Sequence, residues 1–246
     1  MKKTKRTLKE ARKRKDEILK VAVELFYKNG FENTSIEDIV RKAGIARGTL
    51  YYHFNSKMEI LEEIVDAMSK FIVFHLTPII ESNLNAIEKL NKILEESIRV
   101  KIEKFKKEII VYLKIYYDDK NIIFRQKMNE KNLEISASIF SKIISQGVKE
   151  GIFDIQYPEY TGRLIARLLG NFGDDVARTI LNSDTKQNCI EKIYELKKIY
   201  LISMERILAL PKGSLGLKGY PEMIKEVIET YFNERRYDDS LSLIHI

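Results

Sequence analysis

Apolar positions recur three and four residues apart along almost the whole chain, and no stretch shows the strict alternation of a half-buried strand. From Leu8 to Tyr27 they fall at Leu8, Ala11, Ile18, Val21, Ala22, Leu25 and Phe26, regularly spaced from Ile18 onward. Asn29-Gly30 stops this helix, because both residues tolerate positive φ, and Phe31 then offers an apolar anchor. A short second helix is predicted over 36–43, capped by the hydroxyl of Thr34 or Ser35, with Glu37 and Asp38 in its first turn. Gly44 ends it, and a third short helix is predicted over about 46–52. Ser56 with Glu59 forms a capping-box pattern. It opens a longer helix through Met58, Ile60, Leu61, Ile64, Val65 and Met68, expected to end near His75, before Pro78.

The remainder reads as helices over about 79–101, 104–118, 121–149, 158–182 and 187–209. The breaks fall at Asp118-Asp119, Gly151, Pro158 and Asn182-Ser183-Asp184. After Pro211 a Gly-rich connector leads to Pro221 and an amphipathic helix from Glu222 to about Arg236. No internal repeat of fixed period is present. The fold class is all-α. Three divisions are expected: 1–57, a basic arm with a three-helix module; 58–210, a larger helical body; and 211–246, connector, last helix and tail. The final Leu241-Ser242-Leu243-Ile244-His245-Ile246 fits no helical face and resembles a translated sequencing-adapter fragment, so it is assigned no function.

Charge changes this picture more than composition does. The 246 residues carry a net charge of +7. Residues 1–60 hold 15 basic and 8 acidic side chains, so the whole excess lies in the first quarter and the rest is neutral. A polyanion-binding module joined to a neutral body produces such a split; a solvated basic tail is the plainer alternative. The segment Lys2-Lys3-Lys5-Arg6-Lys9-Arg12-Lys13-Arg14-Lys15 reads as an arm adding phosphate or minor-groove contacts, or as a disordered charged tail. One cysteine, Cys189, excludes an intramolecular disulfide framework and a thiolate zinc site. No run approaches the roughly 18–20 apolar residues of a membrane span, and no h-region follows the basic start. A cytoplasmic protein without membrane partners is expected.

Two short helices joined by a tight Gly-containing turn form a helix-turn-helix. Ala43 is small where the helices approach, Gly44 permits the turn, and Ile45 is apolar enough to bury between them. The second helix must present polar groups to base edges and phosphates, and Arg47, Thr49, Tyr51, Tyr52 and His53 supply them. Gly48 removes a side chain where the backbone must come close to DNA. Leu50 and Phe54, four apart, face inward. Lys57, at the start of the next helix, is placed for a phosphate. Plainer alternatives stand beside these: an ion pair for Arg47, half-buried packing for Tyr51, and a helix-dipole partner for His53.

The stretch from Thr34 to Lys57, TSIEDIVRKAGIARGTLYYHFNSK, resembles the DNA-binding signature of the TetR family. The upstream Ile18-Leu19, Ala22, Leu25-Phe26 and Gly30-Phe31 fit the same pattern, and the likeness covers about residues 10–62. The resemblance implies a homodimer on a palindromic double-stranded operator, usually a repressor, released by a small molecule bound in the C-terminal domain. Carried over by position, Thr49 and Tyr51 become groove or phosphate contacts, and Tyr52, His53 and Lys57 phosphate contacts. Arg47 is the candidate for a guanine, and Thr34, Ser35 and Gly48 complete the DNA-binding set.

The resemblance also implies a dimer through the last two long helices of the body. Gly162, Ala166 and Gly170 on the first, and Ile193, Leu196 and Tyr200 on the second, are the expected contacts; an intrachain packing role is the alternative. Phe71, His75, Phe105, Tyr112, Tyr116, Phe124 and Phe140 lie on the helices that usually enclose the effector, and suit a hydrophobic or amphipathic molecule. Aromatics at helical spacing also make ordinary core. The sequence contains no P-loop, Gly-x-Gly-x-x-Gly, His-Glu-x-x-His or Gly-x-Ser-x-Gly, so neither an enzyme nor a cofactor or metal is expected. A non-specific polyanion-binding architectural protein is the competing function.

Overall fold

A computed structural model describes residues 2–117 and 122–242, apart from the side chains of 2–9, 106–107, 111–112, 114–116, 123–124, 127, 221 and 234–242. Among the described residues every regular element is a helix: α1 (Lys2–Asn29), α2 (Ile36–Ala43), α3 (Arg47–His53), α4 (Lys57–Ile80), α5 (Ala86–Tyr116), α6 (Ile122–Lys149), α7 (Pro158–Asn182), α8 (Lys186–Ile207) and α9 (Tyr220–Ser242). The chain divides into two compact units. One runs through Phe71 and includes Phe105–Ile115; the other comprises Ile72–Lys104 and the chain from Tyr116 onward.

The first unit is built on the apolar stripe of α1. Ile18, Ala22, Leu25 and Phe26 are buried with Phe31, Ile39, Leu50 and Phe54, and with Ile60, Leu61, Ile64 and Val65 of α4, so the unit continues well past residue 57. Phe26 and Phe31 meet edge to face with centroids 5.0 Å apart. Lys15 joins α1 to α4 through Glu63 at 3.0 Å. The basic segment expected as an arm or tail continues α1 from Lys2, though the side chains of residues 2–9 lie outside the description.

Two expectations about α4 and α5 change. Helix α4 does not stop before Pro78 but passes through it to Ile80. The Thr77 hydroxyl takes the Val73 carbonyl at 2.9 Å, and the Glu81 amide donates to Thr77 at 3.0 Å, so the register continues beyond the missing proline N–H. Helix α5 therefore starts at Ala86 rather than 79, with Asn85 and Glu88 capping each other: Glu88 N–H to Asn85 Oδ1 at 3.0 Å and Asn85 N–H to Glu88 Oε2 at 3.1 Å. The break expected near 102–103 is present as a kink at Phe105 (φ −128°, ψ 27°), where two helical stretches of α5 meet.

In the second unit α6 and α7 pack closely at Gly162. A Cβ there would lie 2.4 Å from the Ser141 amide nitrogen, and the Ser141 hydroxyl donates to the Glu159 carbonyl at 3.0 Å. Leu90, Ile143, Ile144, Ile165, Ala166, Ile193, Met204 and Leu208 belong to one buried cluster. The buried Lys89 donates to the Ile80 carbonyl and to Gln146 Oε1, both at 2.8 Å, and Gln146 in turn holds the Leu84 carbonyl at 2.9 Å. These bonds fix the 81–85 turn.

The connector after α8 is held by side chains rather than left loose. Glu205 Oε1 accepts from the Gly213 and Leu215 amides at 2.8 and 2.9 Å. Asn91 bonds the Ser214 carbonyl at 3.0 Å and the Gly216 amide at 2.7 Å, and Glu95 accepts from the Lys218 amide at 3.0 Å. Tyr220, Ile224, Val227 and Ile228 of α9 then enter the same buried cluster. Helix α9 begins earlier and ends later than the expected 222–236. The tail's last four residues, 243–246, lie outside the described residues.

Candidate nucleic-acid interface

The recognition surface depends on how α2 is closed at both ends. Ser35 rather than Thr34 is its N-cap. The Ser35 hydroxyl accepts from the Asp38 amide at 3.1 Å and the Asp38 carboxylate accepts from the Ser35 amide at 3.0 Å. The Ser35 hydroxyl, which donates to the Asp38 carboxylate at 2.6 Å, and then the Ser35 amide hold the Asp38 carboxyl below its ordinary value, with a smaller contribution from Arg41. Gly44 closes the other end with φ +63°, which a Cβ would strain. The Gly44 and Ile45 amides bond back to Arg41 and Val40.

Helix α3 starts without a side-chain cap at Ala46 and ends at His53. Leu50 and Phe54 are buried, as their four-residue spacing predicts, and they turn the opposite face outward. On that face Tyr52 is 80 % exposed and Tyr51 43 %. The Arg47 side chain is 64 % exposed. A Cβ built on Gly48 would meet nothing within 4 Å, so no packing within the chain requires glycine there. Thr49 and His53 are half-buried. Burial, with the Lys15 ammonium nearby, pushes the His53 imidazole below its ordinary value.

Three residues of the expected set stand differently. Thr34 is fully buried; its hydroxyl donates to the Gly30 carbonyl at 2.8 Å and lies 3.3 Å from that of Leu25, so it fastens the α1–α2 turn and is unavailable to DNA. Ser35 is exposed but committed to Asp38. Lys57 is half-buried, with its ammonium on the Phe31 carbonyl at 2.5 Å and 4.3 Å from the centre of the Phe31 ring. It secures the same turn from the start of α4. The capping box expected at Ser56 is half formed: Ser56 accepts from the Glu59 amide at 3.0 Å, whereas the Glu59 carboxylate reaches one residue further back, to Asn55.

Sequence reasoning placed Glu37 only as an acid in a first turn. The structure pairs it with Arg47 at 3.1 Å across the turn between α2 and α3. Arg47 also donates to the Tyr51 hydroxyl at 3.4 Å and stacks over that ring. The ion-pair alternative for Arg47 is thus realised in the free chain. No spacing rule within one helix could have identified a partner ten residues away.

Of the residues expected to form an effector pocket, Phe71 and Phe105 are in contact with each other. In the first unit Phe71, 36 % exposed, meets Phe105 edge to face at 5.2 Å. In the second, Phe140 is ordinary core and His75 is half-buried. The side chains of Tyr112, Tyr116 and Phe124 lie outside the described residues. An open, charged groove between α6 and α7, lined by Glu130, Lys131, Leu133, Glu134, Arg163 and Arg167, contains none of the expected aromatics.

Three of the expected dimer contacts are occupied inside the chain. Gly162 faces Ser141 of α6, and Ala166 and Ile193 are buried in the core. Small residues four apart mark close helix approach whichever chain supplies the second helix, and here α6 supplies it. Leu196 and Tyr200 pack partly buried against that core, the Tyr200 hydroxyl donating to Asp175 at 2.5 Å, and only Gly170 is exposed. The solvent side of α7 and α8 instead carries Tyr160, Leu164, Tyr194, Ile199 and Ile207. None of the described helices is long and apolar enough to cross a membrane.

Comparison with known proteins gives consistent results for the N-terminal module and for the helical body. The family model described as "Bacterial regulatory proteins, tetR family" matches residues 18–64, and "Tetracyclin repressor-like, C-terminal domain" matches 113–199. The chain is 27 % identical over 144 residues to the HTH-type transcriptional repressor KstR2 of Mycobacterium tuberculosis, covering 57 % of this chain and 69 % of that protein. It is 27 % identical over 204 residues to the HTH-type transcriptional regulator YfiR of Bacillus subtilis, covering 77 % and 90 %. The fold is shared with the regulator FadR of Bacillus subtilis, solved in complex with stearoyl-CoA, at a TM-score of 0.56 and 22 % identity, over 78 % of this chain and 97 % of that one.

Proposed function

The chain belongs to the TetR family of bacterial regulatory proteins and is a transcriptional regulator of that family, and we propose that it is a cytoplasmic repressor working as a homodimer on a palindromic operator. The observation that carries the reading is the outward face of α3, where Arg47, Tyr51 and Tyr52 stand exposed behind a buried Leu50–Phe54 anchor. Arg47 meets a base edge, Thr49 and Tyr51 the groove wall, and Tyr52 and His53 the flanking phosphates. Gly48 lets the helix backbone approach the duplex. Lys57 serves this surface from behind by fixing the turn that leads into α2.

On this reading two copies associate through the solvent side of α7 and α8, whose exposed apolar residues are otherwise without a role. A small hydrophobic or amphipathic molecule in the second unit releases the operator. The FadR structure shows only that such a fold was solved with an acyl-CoA bound. Incubation of the full chain with random-sequence duplexes, followed by recovery and sequencing, tests the operator claim. Enrichment of one palindrome at moderate salt is expected. Retention of DNA without sequence preference would instead establish the competing polyanion-binding function.

A further inference from the structure

Glu37 is out of place on a surface that meets phosphates. Its side chain is 56 % exposed, and an unpaired carboxylate there repels the duplex. The helix-dipole explanation is weak, because the Ser35–Asp38 box already serves the start of α2. An exposed ion pair adds little to folding, so the Glu37–Arg47 contact does little for stability. What it does is directional. Glu37 takes Nη1 of Arg47 at 3.1 Å, and Nη2 reaches Tyr51 Oη at 3.4 Å, with the guanidinium carbon 5.5 Å from the centre of the Tyr51 ring. Both Nη atoms are thus engaged from two sides, and the remaining N–H donors of the guanidinium's five are left for another partner.

We propose that Glu37 is a specificity-determining positioning residue: with Tyr51 it brackets the Arg47 guanidinium, aiming it at one base edge while cancelling its charge toward DNA in general. The inference rests on the operator reading above. A bracketed arginine loses attraction for arbitrary phosphates yet keeps its fork for a base that presents two acceptors. The bracket therefore widens the ratio of specific to non-specific affinity, which governs site selection in a genome.

The test uses the full-length protein and the duplex enriched from the random library, with every single-base change at the position whose preference is lost in Arg47→Ala. Glu37→Gln should lower discrimination at that position by about tenfold. It should also raise affinity for an unselected duplex, and steepen the salt dependence by up to about 0.9 per head. In the Arg47→Ala background the same substitution should change discrimination by nothing measurable. Tyr51→Phe, which removes the hydroxyl that takes Nη2 while keeping the ring beside the guanidinium, should reduce discrimination in the same direction, and it serves if Glu37→Gln proves unstable. Discrimination unaltered by Glu37→Gln and Tyr51→Phe, or altered equally with and without Arg47, would overturn the inference and leave the operator reading intact. If the parent enriches no sequence, the operator reading itself fails and takes the bracket with it.

Discussion

Tyr52→Ala abolishes measurable binding to the enriched duplex at moderate salt while leaving the thermal unfolding curve of the free chain where it was. The ring is 80 % exposed, and its recorded contact is an edge-on approach to His53 at 5.0 Å, so its loss opens no cavity. A hydrogen bond from a hydroxyl to a charged group is worth about 1.5–3 kcal/mol. On the proposed dimer, two heads per operator double that to about 3–6 kcal/mol, a hundredfold or more in affinity. Gel-shift titration beside a circular-dichroism melt measures both quantities. Parent-like affinity for the variant would remove α3 from the contact surface.

Truncation after Leu210 has an equally large effect on the body. Ile224, Val227 and Ile228 are buried, and burying such side chains contributes roughly 1.5–3 kcal/mol each. Three give about 4–9 kcal/mol as an upper estimate, against about 5–15 kcal/mol for the whole of a typical domain. The truncated chain also leaves the buried Glu205 carboxylate without the Gly213 and Leu215 amides that bond it. It should be recovered as aggregate, or as a soluble species that has lost its cooperative melt. A truncated chain melting like the parent would mean that α9 is an appendage despite its buried face.

Elements ended by local chemistry were legible in the sequence. Asn29, Ala43 and Asn182 terminate helices where Gly30, Gly44 and Ser183 follow, and Pro158 opens α7 at its first position. Features decided by distant partners were not. The stop expected before Pro78 yielded to a turn held by Lys89 and Gln146. The connector read as a Gly-rich spacer because Asn91 and Glu95, which hold it, lie more than 120 residues earlier. Gly162 and Ala166 form the same small-residue stripe whether the partner helix is a second copy or α6. At the site, outward and inward faces of α3 followed from spacing alone. The inward turn of Lys57 and the Glu37–Arg47 pair required the fold.

The vacancy around Gly48 separates two selective pressures within one short helix. Glycine inside a helix costs about 1 kcal/mol relative to alanine, and the free chain gains no packing in return. A screen for thermal tolerance alone would therefore favour Gly48→Ala as an improvement, while on the proposed function a screen for operator binding would discard it. Engineering that hardens this protein without assaying its target would move toward better-folded molecules with a blunted reading head.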